Sequence, residues 1–400
     1  MIRPPSHVLT SAADQGAAAL TNIAVVVVTA RQVPAGDFAS FAIAYAVFTL
    51  LLGAFTAFIG QALVLRGGPG DEPRRHCRAA AVFTLAASAA AGVLLAATAP
   101  LSAATGALGA VLPVLLTQDG LRYAFSLLRR PGLALATDTL RLAVTVPVLA
   151  AQPAGAGPGR MVLAWGLSAL PALLLGAALL AYATRGAGAG AWRPDTRTYL
   201  ARRYLGRRFL AEFGVGNAAS QTAIIGVGVL GSSLAVGALR GATTLFGPVG
   251  VLFNAVTGFG PPQLAAVPGA ARKARAAAMT GLALAALAAC WALLLSLLPD
   301  AAGREVLGET WGHAAELLPA TGTQYAAMAL GTCGLLALRV LCPRATLGVQ
   351  VVFSVLSVAL LLGGYALGGV TGAAWGLALG SAAKAAAAWA RVTFEVRVSR

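Results

Sequence analysis

Residues 38–65 read FASFAIAYAVFTLLLGAFTAFIGQALVL, with Asp37 before them and Arg66 after them. The stretch carries no charged side chain. At 1.5 Å per residue a helix of this length crosses the ~30 Å hydrocarbon layer of a bilayer. A helix on the surface of a soluble domain would show a polar face, and this one shows none. The rest of the chain follows the same plan. Its 400 residues are 58% hydrophobic and only 10% charged, with a mean hydropathy of +0.80. A soluble domain carries about 25% charged residues, so this chain cannot furnish a soluble surface.

Working outward, apolar blocks at 11–29, 38–65, 79–97, 107–128, 132–151 and 161–184 predict six spans. Blocks at 209–230, 234–260, 276–298, 313–338, 345–367 and 370–390 predict six more. About twelve spans of ~20 residues leave room only for short connectors. The fold class is therefore all-α and polytopic, with residues 1–184 and 209–400 as two six-helix halves. A basic connector, 185–208, joins them. Its second part, 195–208, reads as an interfacial helix, with Tyr199, Leu200, Tyr204 and Leu205 among arginines able to rest on anionic headgroups.

The net charge of +16 comes from 29 Lys+Arg against 13 Asp+Glu. Nucleic acid binding is the weaker explanation, because the arginines sit in short loops between apolar blocks. With the N-terminus inside, the loops 66–78, 129–130, 185–208, 272–275 and 339–344 and the C-terminal tail are cytoplasmic and basic. The opposite side holds only Arg31, Arg160 and Arg304. This is the positive-inside pattern of a plasma-membrane protein with both termini cytoplasmic. Met1–Thr10 lacks the short apolar region and cleavage site of a signal peptide, so the first block reads as a retained span.

Several chemistries are missing. There is no GxxxxGK[ST] loop, no HExxH and no GxSxG elbow, and His7, His76 and His313 are isolated. The four cysteines form no CxxC pair. Neither an enzyme nor a bound cofactor or metal is expected.

The informative residues are the charges inside the spans. Asp119 and Arg122 share one helix face in the fourth span, as do Asp138 and Arg141 in the fifth. A charge at mid-membrane costs at least ~2.5–3.5 kcal/mol, so it faces a cavity or a partner. One reading is a cationic lining for an anionic substrate; the other is self-neutralised pairs that lock the two spans together. Arg240 in the eighth span and Lys384 in the twelfth have no carboxylate at helical spacing, while Arg31 reads as a snorkelling end residue. Asp14 and Glu212 sit near helix starts, where the helix dipole favours them; the alternative is a proton or sodium site. Pro113, Pro147, Pro171, Pro248 and Pro319 read as interruptions that allow bending.

The chain resembles the polysaccharide exporters and lipid-linked oligosaccharide flippases of the multidrug/oligosaccharidyl-lipid/polysaccharide superfamily. The resemblance runs through Asp14-Gln15, Asn22, Ala30-Arg31 and Gly36-Asp37-Phe38. It continues through Gln118-Asp119-Gly120-Leu121-Arg122-Tyr123, Arg129-Arg130-Pro131 and Asp138, and through Glu212-Phe213, Asn217 to Gln221, Gly237 to Arg240 and Gly247-Pro248. It implies two six-helix bundles around a central cavity and alternating access. It also implies an anionic, lipid-linked glycan as substrate, with Arg122, Arg141, Arg240 and Lys384 as candidate substrate contacts. Asp14, Asp119, Asp138 and Glu212 are the ion-coupling candidates. Glycosyltransferases or a polymerase of the same pathway are the implied protein partners. Two alternatives stand beside it: a drug/cation antiporter of the same fold, and a non-transporting scaffold of a glycan-synthesis complex.

Overall fold

The computed structural model describes residues 6–33, 35–66, 72–153, 155–185, 196–216, 239, 242–243, 245–307 and 311–398. Among these residues there is no strand. The chain divides into two compact units, Met1–Leu210 and Ala211–Arg400.

In the first unit α1 is Ser6–Gln32. Helix α2, Ala35–Phe55, continues through a π-helical turn, Thr56–Gly60, into Gln61–Val64. Then come α3 (Glu72–Ala96), α4 (Ala103–Leu127), α5 (Pro131–Ala150), α6 (Pro158–Ser168) and α7 (Leu170–Ala183). Helices α6 and α7 make one membrane-length segment broken at Ala169, just before Pro171. Helix α4 is the hub. It packs against α2, α3, α6 and α7, and its face opposite α3 comes so close that a Cβ on Gly109 would stand 2.4 Å from the Gly92 carbonyl oxygen. Trp165, Phe41 and Phe48 fill the adjoining core.

A single helical turn, α8, at Arg197–Leu200 lies near the end of the first unit, and a helix over 206–216 (α9) runs from the first unit into the second. Helices α10 (Gly247–Ala266), α11 (Ala270–Ser296), α12 (Asp300–Leu307), α13 (Trp311–Glu316), α14 (Leu318–Leu341) and α15 (Thr346–Val398) follow. Helix α15 is two spans. Gly368 and Gly369 are non-helical, and the positive φ of 59° at Gly369 turns the chain back on itself. Helix α14 is the hub here, packed against α10, α11 and α15.

Both units are apolar on the outside as well as within. Leu94 is 75% exposed, and Met279, Leu282, Leu293 and Val355 are exposed too. Among the described residues eight helices are long and apolar enough to cross a membrane, one of them the double span 343–398. Residues 217–238, which hold much of the seventh and eighth expected spans, lie outside the described residues.

Several expectations change. Loop 261–275 is mostly helix: Pro261 and Pro262 lie inside α10, and Arg272, Lys273 and Arg275 lie in the first turns of α11. Arg391 is not the start of a loose tail but pairs with Glu395 one turn on, at 2.7 Å, within α15. Pro171, Pro248 and Pro319 each stand at the second position of a helix, just after a break at Ala169, Phe246 and Leu317, so each marks an interruption of its expected span, while Pro113 and Pro147 lie inside α4 and α5. The interfacial helix over 195–208 is a single turn in its described part, because Tyr199 and Tyr204 turn inward. They are 1% and 5% exposed and pack on Phe58 and Phe83.

Candidate functional site

Helices α4 and α5 form an antiparallel hairpin around a three-residue turn, with Arg129 at φ 56° and Pro131 opening α5. Each carries an Asp-x-x-Arg on its inner face. On an antiparallel hairpin, three steps forward along one helix face three steps backward along the other. Asp119 therefore meets Arg141, and Arg122 meets Asp138. Arg141 Nη1 donates to Asp119 Oδ2 at 3.0 Å and to Gln118 Oε1 at 2.6 Å. Arg122 donates to Asp138 through Nη2, and through Nε at 3.1 Å. Gln118 Nε2 closes the ring by donating to Asp138 Oδ1 at 2.7 Å. Arg122 also lies 3.5 Å from Asp119 on its own helix. The strongest pairing is thus between helices, where the sequence suggested pairing within each.

Helix α1 adds Asp14. It packs on α5 along much of its length and brings Asp14 Oδ2 to 3.2 Å from Arg122 Nε. Asp14 is fully buried two turns inside α1, so the helix-dipole explanation fails; its carboxyl meets a guanidinium instead. Its Oδ1 has no hydrogen-bond partner among the described residues. The cluster holds three carboxylates and two guanidiniums. Asp119, Asp138 and Arg141 are each under 9% exposed. Tyr45, on α2, lies within the field of Arg141 and Asp119.

A second, smaller cluster lies in the second unit. Glu212 of α9 is buried, accepts from the Thr346 hydroxyl and lies 3.4 Å from Arg339 Nη2. Glu212 and Arg339 are also the electrostatic neighbours of Lys384. Lys384 therefore lies within electrostatic reach of charged groups on two other helices, which its own helix did not reveal. Arg240 lies outside the described residues. Arg31 is exposed in the last turn of α1.

Sequence reasoning missed three participants. Gln118 links Asp138 to Arg141; its position beside Asp119 was the available signal. Arg339 looked like a loop cation because it precedes Pro343, yet it remains inside α14. Thr346 had no signal at all, since a threonine at a helix start is ordinary. Among the described residues no group of three metal-ligating side chains is present.

Comparison with solved structures finds one architecture repeatedly. The Vibrio cholerae MATE transporter VcmN in its bent form superposes with a TM-score of 0.78 at 12% identity, over 98% of this chain and 96% of that one. The chain shares its fold with the MATE transporters. An outward-facing multidrug resistance MATE family transporter of the MOP superfamily gives 0.71 at 12% identity, over 98% and 94%. A MATE in complex with MaL6 gives 0.70 at 13%, over 98% and 95%. No family model matches the sequence, and no curated protein matches it. The likeness at this identity is one of fold, and it runs almost end to end in both chains.

Proposed function

We propose that this chain is an ion-coupled membrane transporter of the multidrug/oligosaccharidyl-lipid/polysaccharide superfamily, moving a lipid-linked oligosaccharide or polysaccharide precursor by alternating access. The observation that carries the transporter reading is the unequal cluster on α1, α4 and α5. Three carboxylates face two guanidiniums in a fold shared with MATE transporters. A network that served only to lock helices together would be better off balanced, because an uncompensated buried charge is expensive. One proton balances it. We assign that proton to Asp14, whose Oδ1 is the unpartnered oxygen. Loss of the proton leaves Arg122 shared among Asp14, Asp119 and Asp138, and that redistribution biases the packing of α1 against α4 and α5.

The substrate assignment rests on the ordered motifs and on the cations of the second half. Arg122 and Arg141 hold carboxylates in this state, which leaves Lys384 as the proposed first contact for a diphosphate, with Arg240 proposed from the sequence alone. Phosphate suits such cations through charge-assisted hydrogen bonds. In this reading the protein acts as a carrier in the plasma membrane with both ends cytoplasmic.

A second reading, a drug/cation antiporter, is favoured by the carboxylate excess. Proteoliposomes loaded with a fluorescent lipid-linked glycan, and in parallel with a cationic dye, decide between them. Accelerated glycan translocation over empty vesicles supports the first reading. Gradient-driven dye efflux with no glycan movement replaces it with the second.

A further inference from the structure

We infer that the folded end of the connector, residues 196–210, is a binding site for anionic phospholipid headgroups in the leaflet on its side of the membrane. The segment is held by two tyrosines. Tyr199 stacks on Phe83 with ring centroids 4.5 Å apart, Tyr204 meets Phe58 edge-on at 5.0 Å, and the two tyrosines touch at 5.1 Å. The Arg66 guanidinium lies 5.7 Å and 5.2 Å from the two ring centres. The Tyr204 hydroxyl donates to the Phe58 carbonyl at 2.8 Å. Phe58 lies within the π-helical turn of α2, where the regular i→i−4 ladder is interrupted. Gly206 packs against the same carbonyl, so closely that a Cβ there would overlap it. Burial pushes the Tyr204 hydroxyl up from its ordinary value, so it stays protonated and remains a donor. Phe58 and Phe83 belong to membrane-length segments, so the clamp holds the connector against two helices of that length.

What the clamp leaves outside is basic and apolar together. Arg197, Arg202, Arg203 and Arg207 are exposed, and Leu200 among them is 68% exposed. Arg207 Nη2 donates to the Leu200 carbonyl at 2.9 Å, which fixes a guanidinium beside that leucine. Residues 196–211 contain five arginines and no carboxylate. An exposed leucine with the Arg207 guanidinium fixed beside it, in a stretch with four further arginines, suits a phosphodiester and the first acyl carbons together. Soluble anions would leave the leucine unused, and a neutral lipid would leave the arginines unused.

The test is native mass spectrometry of the purified full-length chain exchanged into mixed phosphatidylglycerol and phosphatidylcholine. The wild type is expected to retain phosphatidylglycerol preferentially. Arg202→Ala/Arg203→Ala/Arg207→Ala should lose roughly fivefold per arginine, as about 1 kcal/mol per basic residue implies. Arg272→Ala/Lys273→Ala/Arg275→Ala removes the same charge elsewhere and should retain the preference. Tyr204→Phe keeps every charge but loosens the clamp, and should weaken retention. No preference for phosphatidylglycerol, equal loss in the 272–275 variant, or full retention in Tyr204→Phe would each overturn the site. Displacement by millimolar inorganic phosphate would overturn the lipid assignment. Melting temperatures in phosphatidylcholine identify any variant that fails to fold, and Leu200→Ser then serves as the replacement: loss of retention supports the site and full retention overturns it.

Discussion

Arg122 on α4 is bonded to Asp138 on α5, not only to Asp119 on its own helix, and the same guanidinium reaches Asp14 on α1. One side chain therefore ties three helices. Replacing Arg122 by Ala leaves three buried carboxylates with one guanidinium. Breaking a buried pair in this way costs about 3–5 kcal/mol. Thermal unfolding in detergent should show Arg122→Ala well below wild type, and Arg122→Leu/Asp138→Leu should recover much of the loss. Equal stability of Arg122→Ala and wild type would show that the pair carries no structural weight.

Asp14→Asn is expected to behave in the opposite way. It mimics the protonated carboxyl in charge and shape, so stability should hold. Ion-coupled transport in proteoliposomes should be lost, because the neutral amide cannot release a proton. Transport that still follows the proton gradient in this variant would remove Asp14 from the coupling role.

The second unit offers a smaller effect. Glu212→Gln weakens the contacts to Thr346 and Arg339. A hydrogen bond to a charged group contributes about 1.5–3 kcal/mol, and a melting temperature lowered by several degrees is the expected reading. Thr346→Val, which removes only the hydroxyl, should lose less than Glu212→Gln.

Gly369 carries φ 59° and ψ −144° at the turn between the two arms of α15. That region is open almost only to glycine, and other residues cost about 1–3 kcal/mol there. Gly369→Ala should lower expression of folded protein and its melting temperature. The neighbouring Gly368→Ala, at φ −145° with nothing near its Cβ position, should be tolerated.

The two Asp-x-x-Arg motifs illustrate what a sequence shows and what it hides. Their spacing put each pair on one helix face, and that much is correct. Which Asp serves which Arg depends on the partner helix. The short turn 128–130 between the two helices was visible, and an antiparallel hairpin follows from it, so the crossed pairing was within reach of the sequence. Asp14 and Glu212 were not. Their partners are 108 and 127 positions away along the chain, and no local spacing points to them. Tyr199 and Tyr204 mislead for a related reason. Tyrosines among arginines suit a membrane interface, and only the aromatic surface offered by Phe58 and Phe83 turns them inward.

By itself the sequence determined that the chain has the make-up of a membrane protein, that it is helical, and roughly where most of the described spans lie. Lipid is the solvent, and the length of an uncharged run against the bilayer thickness settles those matters locally. Residues 38–65 needed no neighbour to be read. The tertiary structure alone decided which charges neutralise one another, that one carboxylate is left over, and which face of the connector stays open. Those outcomes depend on distances between side chains remote in sequence, and in a low-dielectric interior a few ångströms decide whether a charge is paired or left uncompensated.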